Sequence, residues 1–460
     1  MMNASSPSHT LEALTKAVTL VHAKGATQQF SLAESPLNKA QLLLVSTVAG
    51  QSEPLACIEG ELPAGFTVDA YASRGGDLLV LHTPNNLAYF LFPGAIVQHP
   101  SFKLSVSGET LLSADKLTCP PVVPTKKQTI TKQAMILGAG LGSRIQPLTE
   151  SYVGFAKPAL PFVGESSVIG QLVEHLANQG IERLFVNTFF ERDSVVKALQ
   201  TACKASGTIE FFEIKEDRPT GTAGGVLHIL NHLQEFSSFN VNEPLLVLQG
   251  DAVTNADHSA MLAFHQQSGA SVTIGAQKVS DEDVSKFGII ATTTDATQAD
   301  LSGAISRFLE KPSLAEAGSY RLASTGFYAI APSLYPRLQA WYAEKLAKEQ
   351  AEASTKGLPT PADCKEFDFA VDVFGSCLAE SQPLQAFQIE QFWCDIGNPA
   401  QYLQTLQLAY EGVLGFTLPQ PLHQWYTPEG VVFWPETAEA NMANGFTALR
   451  GGVVVCKKTA

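Results

Sequence analysis

The sequence predicts an α/β protein in which a mostly parallel, doubly wound sheet carries the chemistry, preceded by an α+β or β-rich module and followed by a short β segment. Three observations lead there. The chain has 460 residues, and at about 150 residues per domain a single core is not expected. Hydrophobic residues make up 45% and charged residues 16%, which supplies large cores and argues against disorder over most of the length. From Ala134 onward, short apolar and β-branched runs alternate with apolar residues at helical spacing, as parallel strands joined by helices require.

Residues 1–124 form the first zone. An amphipathic helix candidate covers 11–22, and QLLLVSTV (41–48) and DLLVLHT (77–83) read as strands between Gly, Pro and Asn. No recognisable chemistry lies there. The stretch CPPVVPTKKQTITKQ (119–133) replaces the apolar pattern with Pro, Thr and Lys, so 125–133 reads as a linker.

The second zone, 134–412, opens with the strand AMILGAG (134–140). Val168, Ile169, Leu172, Val173 and Leu176 make one helix face before the strand around 184–186. The rhythm continues through TIEFFEI (208–214), a helix over 223–236, the strand PLLVLQGD (244–251), a helix near Met261 and the strand ASVTIGAQ (270–277). A charged helical stretch (342–353) and a Pro-containing loop (357–363) read as a surface insertion. In such sheets ligands bind beyond the carboxyl ends of the strands. The third zone, 413–460, holds two Val-rich runs, GVVFWPET (430–437) and LRGGVVVC (449–456), which suit one or two β-helix coils or an edge hairpin.

Lys plus Arg number 30 and Asp plus Glu 44, a net charge of −14. That balance disfavours nucleic acid and anionic membranes as partners but leaves a small phosphorylated substrate open, since a pocket needs only a few local cations. The seven cysteines are widely spaced with no CxxC pair, as expected of reduced thiols. The N-terminus lacks a basic region followed by an apolar run, and the longest near-continuous apolar stretch, 87–97, is about half a membrane span. A cytoplasmic protein is expected.

The segment LGAGLGSRIQPLTE (137–150) is the most informative. Glycines at 138, 140 and 142 after a strand let the backbone turn tightly and aim N–H groups at an anion. A dinucleotide fingerprint would need glycine at 143, where Ser143 stands, and a Walker loop would need Gly-Lys where Ser143 and Arg144 stand. What remains is GxGxGSR, then Pro147, then Lys157-Pro158.

Those residues resemble the sugar-phosphate nucleotidyltransferases, also called nucleotide-sugar pyrophosphorylases. The likeness runs in order through GAGLGSRIQPLTESYVGFAKPALP, PTGTAGG (219–225), LLVLQGD (245–251), FLEKP (308–312), STGFYAI (324–330), FDFAVDVF (367–374) and FWCDIGNPAQYL (392–403), covering about residues 134–405. The resemblance implies a Rossmann-like nucleotidyltransferase fold. It also implies transfer of a nucleoside monophosphate from a nucleoside triphosphate to a sugar 1-phosphate, with release of pyrophosphate. GTAGG is most similar to the mannose-1-phosphate guanylyltransferases, so GTP and mannose 1-phosphate are the first expectation. Thymidylyl- or uridylyltransferases acting on glucose 1-phosphate, and a non-catalytic nucleotide-sugar sensor of the same fold, are the alternatives. Homo-oligomerisation and a separate binding role for residues 1–124 are left open.

The resemblance carries roles onto individual positions. Arg144, Lys157 and Asp251 are the implied catalytic residues, with Arg144 holding the departing pyrophosphate and Lys157 contacting phosphate. Asp251 and Asp395 match the positions that bind Mg2+, a cation that prefers carboxylate oxygens and keeps several waters. Leu137, Gly138, Ala139, Gly140, Gly142, Ser143, Gly221, Thr222 and Gly224 fall on the nucleotide side. Glu310, Lys311 and Gly326 fall on the sugar side, Glu310 bonding hydroxyls and Lys311 the sugar phosphate. Each has a plainer reading: a helix N-cap for Asp251, a turn aspartate for Asp395, a surface lysine for Lys157, a helix start for 221–225, an exposed ion pair for Glu310 and Lys311.

The chain departs from the pattern at Ala156, where the family has proline, and at Ser324-Thr325, where it often has Asn. His228 and His232 stand one turn apart but lack the Glu of HExxH. Asp368 and Asp372 are open between a site role and local capping. Trp393 is expected to pack behind Asp395.

Overall fold

The computed structural model describes residues 18–20, 29–34, 41–48, 51–73, 76–85, 87–108, 130–146, 148–149, 155–163, 166–294, 298–410, 412, 414, 431–432, 444–450 and 453–457. The chain forms two compact units, one comprising Met1–Pro121, Gly142–Ser167 and Ile396–Ala460, the other Val122–Leu141 and Val168–Asp395.

In the first unit the described N-terminal residues are strands β1 (Val18–Leu20), β2 (Gln29–Glu34), β3 (Gln41–Val48), β4 (Gln51–Gly60), β5 (Thr67–Ser73), β6 (Gly76–His82), β7 (Leu87–Leu91), β8 (Ile96–Gln98) and β9 (Phe102–Val106). One sheet runs β1-β5-β6-β7 and continues into Val453–Lys457 and Val431–Val432; the other runs β2-β3-β4-β9-β8 and continues into Ala448–Arg450. Alternation along β9, buried at Phe102, Leu104 and Val106, feeds an apolar cluster shared with Leu44, Ile58, Val68, Leu79, Leu81, Tyr89 and Leu91 from both sheets. Phe446 from the C-terminal segment sits in that cluster, with its ring 5.0 Å from Tyr89, 6.0 Å from Phe66 and 6.3 Å from Phe102.

Three expectations change here. Of the helix expected over 11–22, only 18–20 are described, and they form a strand parallel to β5; the rest lies outside the described residues, as do 125–129 of the expected linker. The described residues of the C-terminal runs join the two N-terminal sheets as strands; the rest of the expected β-helix coils or hairpin lies outside the described residues. Val453–Lys457 pairs antiparallel with β7 and Ala448–Arg450 antiparallel with β8, while Val431–Val432 lies parallel to Val453–Val454. The Val-rich runs satisfy backbone groups that β7 and β8 would otherwise leave at open edges. The boundaries differ too, because 142–167 and the residues from 396 belong to this unit. The helix Pro399–Tyr410 helps hold 142–167, since the Tyr402 hydroxyl donates to the Pro161 carbonyl.

The second unit contains strands β10 (Gln133–Leu137), β11 (Arg183–Thr188), β12 (Glu210–Lys215), β13 (Leu245–Gln249), β14 (Ala252–Thr254), β15 (Val272–Lys278), β16 (Gly288–Thr292), β17 (Gly303–Glu310), β18 (Leu322–Ile330), β19 (Leu384–Gln388) and β20 (Trp393–Asp395). Its helices are α1 (Val168–Asn178), α2 (Arg192–Ser206), α3 (Gly224–Asn231), α4 (His258–Ser268), the short α5 (Leu314–Ala317), α6 (Tyr335–Thr355) and α7 (Phe374–Ala379). The face expected of α1 is the one buried: Val168, Ile169, Leu172, Val173 and Leu176 are all fully inside, each contributing about 1.5–3 kcal/mol.

Nine strands make the main sheet, in the order β12-β11-β10-β13-β18-β15-β19-β17-β16. The first four are mutually parallel, as expected, and β15 and β19 are parallel too, but β18 runs antiparallel to both β13 and β15, and β17 antiparallel to β16 and β19. The sheet is therefore mixed: seven of its nine strands run one way, as a mostly parallel sheet requires, and β17 and β18 run against them. The chain reverses over the short connection from β16 to β17, then crosses through α5 to β18, which runs in the same direction as β17 because both lie antiparallel to β16.

Candidate active site

The chain leaves β10 in one direction, through β11 and β12, and β13 lies on its other side. Such a reversal opens a crevice at the carboxyl ends of the two strands. Gly138–Leu141 follow β10, and Gly250 and Asp251 follow β13. The two ends are locked together, because the Gly250 N–H donates to the Leu137 carbonyl at 2.9 Å and a Cβ on Gly250 would lie 2.8 Å from that oxygen.

Asp251 then leads directly into β14, which pairs antiparallel with β20 in the register Ala252↔Asp395, Val253↔Cys394 and Thr254↔Trp393. The two aspartates, remote in sequence, thus stand at neighbouring positions of one ladder, and both are partly exposed. The ladder is fastened from behind. The Thr254 hydroxyl donates to the Phe392 carbonyl at 2.8 Å, and Gln171 of α1 donates to the Ala252 carbonyl at 3.2 Å. Trp393 pairs with Thr254, and its ring rests on Phe287 at 5.2 Å.

Among the described residues no group of three or more His, Cys, Asp or Glu could hold a metal. Two carboxylates leaving most positions to water and phosphate oxygens is nonetheless the donor set that Mg2+ accepts. The stacked rings of His228 and His232, 4.4 Å apart, do not add to it; His232 Nδ1 lies 2.8 Å from the His228 carbonyl oxygen.

The glycine loop is tied to the 220–225 turn by two residues that sequence reasoning passed over. Asn187, at the end of β11, accepts the Gly138 N–H through Oδ1 at 2.9 Å and donates from Nδ2 to Glu216 at 2.9 Å. Glu216 in turn accepts the Thr220 hydroxyl at 2.9 Å and the Thr220 N–H at 3.1 Å. Both are buried, and a buried carboxylate stays only where such partners exist. The signal was present as a polar residue closing the apolar run LFVN and another closing FEIKE.

Gly138 therefore shares one hydrogen-bonded chain with Thr220, which opens the turn that carries Gly221, Thr222 and Gly224. Gly140 is exposed, with nothing within 4 Å of where a Cβ would stand. Gly221 has φ +89°, and a Cβ there would meet the Phe367 N and O atoms at 2.5 Å. Thr222 donates both its N–H (2.8 Å) and its hydroxyl (3.0 Å) to Asp368 Oδ1, so its donors are used inside the protein.

Of the residues expected on the sugar side, Glu310 ends β17 and pairs with Lys311 at 2.8 Å on the surface. Lys311 has φ +46°, a left-handed conformation that costs a lysine roughly 1–2 kcal/mol. Burial pushes the Tyr328 phenol up to about 12, and the nearby Glu310 and Asp368 carboxylates add to it. Gly326, on β18 with φ +77°, presses against the residue before Gly250: a Cβ would lie 2.4 Å from Gln249 Cγ. Gly326→Ala is expected to displace Gln249 and the Gly250-Asp251 step, lowering kcat about tenfold and reducing the melting temperature. Steady-state kinetics beside thermal unfolding would check it, and an unchanged kcat would contradict it.

The remaining candidates, Gly142, Ser143, Arg144 and Lys157, belong to the first unit. Gly142 has φ +60°, and a Cβ there would approach Lys157 Cβ at 3.2 Å; the Thr149 hydroxyl donates to its carbonyl at 3.0 Å. Ser143 and Arg144 are exposed on the 3-10 turn Ser143–Ile145, whereas Lys157 is buried at the start of the turn Lys157–Ala159.

Three histidines of the second unit are largely shielded from water, His175 beside the Ala256 carbonyl and His265 beside the Thr273 hydroxyl. Burial holds His175 below its ordinary pKa and His258 well below it, and lowers His265 to about 4. A histidine whose folded pKa is depressed leaves the unfolded chain binding more protons, so stability is complete above about pH 6.5. It should be lost progressively as pH falls toward 4. Denaturant midpoints across that range should decline for the native chain and decline less for His265→Gln; parallel declines would contradict this.

The match to a protein-family model for the nucleotidyl transferases spans residues 133–411, more than half of the chain. A UTP–glucose-1-phosphate uridylyltransferase from Synechocystis sp. is 28% identical over 283 residues, covering 60% of this chain and 62% of its own. A glucose-1-phosphate adenylyltransferase from Thermotoga neapolitana is 29% identical over 306 residues, covering 64% and 63%. The match thus spans a little under two thirds of these relatives' length. Among solved structures, a UDP-glucose pyrophosphorylase complexed with UDP-glucose overlays 61% of this chain and 98% of its own at TM-score 0.46 and 19% identity. From the family match, the chain belongs to the nucleotidyl transferase family.

Proposed function

We propose that this protein joins a nucleoside monophosphate to a sugar 1-phosphate, giving a nucleoside diphosphate sugar and pyrophosphate. In the step itself an oxygen of the sugar phosphate attacks the α-phosphorus of the triphosphate. The bond from that phosphorus to the bridging oxygen of the β-phosphate breaks, and pyrophosphate departs with the electron pair. Both reactants are polyanions, so the protein's work is positioning and charge neutralisation.

The observation that carries the reading is the pair Asp251 and Asp395, held at neighbouring ladder positions beyond the β10 and β13 ends. Magnesium bound there would neutralise phosphate charge and polarise the phosphorus. Gly138, Gly140, Gly221 and Gly224 offer backbone access to the nucleotide, as Gly326 does to the sugar. The resemblance assigns the leaving pyrophosphate to Arg144 and a phosphate contact to Lys157. Glu310 accepts hydrogen bonds from sugar hydroxyls, and Lys311 opens from its ion pair to bind the sugar phosphate.

For the substrates, the named relatives point to glucose 1-phosphate with a uridylyl or adenylyl group. The GTAGG turn favoured GTP with mannose 1-phosphate, and that pair is the second reading. The test is pyrophosphate release with Mg2+ over ATP, UTP, GTP, dTTP and CTP against glucose and mannose 1-phosphates. UTP or ATP with glucose 1-phosphate is expected to lead by tenfold or more. A lead for GTP with mannose 1-phosphate would reinstate the second reading, and silence throughout would remove the enzymatic one.

A further inference from the structure

The 220–225 turn has one internal backbone bond, from the Gly224 N–H to the Gly221 carbonyl at 3.1 Å, and is otherwise held from outside. Gly221 sits at φ +89° against the backbone of Phe367, whose N–H donates to the Thr220 carbonyl at 2.8 Å and whose carbonyl accepts the Ala223 N–H at 2.9 Å. Arg218, just before the turn, donates to the Cys364 carbonyl at 2.6 Å and also to the Lys365 carbonyl. At the centre, Asp368 Oδ1 accepts both donors of Thr222, while the Thr222 oxygen accepts the Phe369 N–H at 2.9 Å.

The segment that supplies these contacts is itself fixed from α6. Asp372 Oδ2 accepts the Asp368 N–H at 2.8 Å, and Lys345 reaches both Asp372 oxygens at 2.8 Å. Lys345 Nζ also lies 5.9 Å from the centre of the Phe367 ring. Between them runs one widened turn, Phe369–Val373, in which the Asp368 carbonyl accepts N–H groups from both Asp372 (2.9 Å) and Val373 (3.2 Å). Single π turns of this kind occur frequently at functional sites. Tyr342 and Glu349, on the same α6 face as Lys345, hold the Cys364 and Lys365 N–H groups at 3.3 and 2.9 Å.

We propose that Asp368 is a positioning residue for the nucleotide, setting the Gly221–Gly224 turn through Thr222 and itself set by the Asp372–Lys345 pair. The proposal rests on the nucleotidyl-transfer reading of the turn. It assigns the Lys345, Asp372 and Asp368 set to the triphosphate substrate and not to the sugar phosphate. Thr222 then contributes loop shape, because its N–H and O–H are both engaged by Asp368.

The test is steady-state kinetics on the full chain, varying each substrate in turn, with thermal unfolding alongside. Asp368→Ala is expected to raise KM for the triphosphate at least tenfold while KM for the sugar 1-phosphate stays within twofold. Asp368→Asn keeps an oxygen acceptor for Thr222 and should recover most of the loss, and Lys345→Met should fall between. If Asp368→Ala does not fold, Thr222→Val against Thr222→Ser asks the same question, with only serine restoring KM. Equal changes in both KM values, or no difference between the Asn and Ala variants, would overturn the proposal while leaving the transfer reading standing. A wild-type chain that turns over no substrate pair and binds none of the five triphosphates in a direct titration would overturn both.

Discussion

Replacing Asp251 with asparagine is expected to lower kcat by about 10³-fold, with little change in the unfolding temperature. The side chain is partly exposed at the end of a turn and packs no core, so the fold should tolerate an isosteric neutral group. What is lost is negative charge at the place where the proposed function puts magnesium and phosphate oxygens. Asp395→Asn should do nearly the same, since its rung adjoins Asp251. The double variant should then be little worse than either single one, because both changes disable one cation site. Purified variants compared for kcat and melting temperature decide the matter. A loss below tenfold in Asp251→Asn would remove this residue from the chemistry.

The second large effect concerns stability. Deleting residues 446–460 should destabilise the first unit by several kcal/mol. Phe446 fills the centre of an aromatic group with Phe66, Tyr89, His99 and Phe102, and losing a buried phenylalanine alone costs about 3–5 kcal/mol. The same deletion strips Ala448–Arg450 from β8 and Val453–Lys457 from β7, opening an edge on both sheets at once. Limited proteolysis should then cut within residues 18–106 at temperatures where the full chain resists. Equal resistance of both proteins would show that the C-terminal strands are dispensable. The converse truncation, a chain beginning near residue 130, leaves those two strands without their N-terminal partners, so its behaviour cannot be read as that of a free-standing catalytic domain.

These effects also mark what the sequence could tell. The α1 stripe was legible because 3.6-residue spacing states both the helix and its buried face. The glycine loop was legible because closely spaced glycines after a strand suit an anion, whereas the aspartates of LLVLQGD and WCD were singled out only through the resemblance to the nucleotidyltransferases. That Asp251 and Asp395 become neighbours was not, since it depends on a short ladder between distant segments.

Strand identity is written in period-two alternation, but pairing direction is not. The antiparallel β18 inside the sheet and the C-terminal strands beside β7 and β8 therefore stayed hidden. Asn187 and Glu216 escaped for a related reason: a lone polar residue in a sequence has no visible partner, and the two bond each other across 29 residues. Asp368 stayed open between a site role and capping because its partner Thr222 stands 146 residues earlier.

The most direct test of nucleotidyl transfer is to identify the product. Phosphorus NMR of the full chain with Mg2+, UTP or ATP, and glucose 1-phosphate should show two coupled resonances of a nucleoside diphosphate sugar growing in equal amount with pyrophosphate, and neither growing with Asp251→Asn. Inorganic phosphate or nucleoside diphosphate appearing from the triphosphate while glucose 1-phosphate is unchanged would contradict transfer and identify a hydrolase instead.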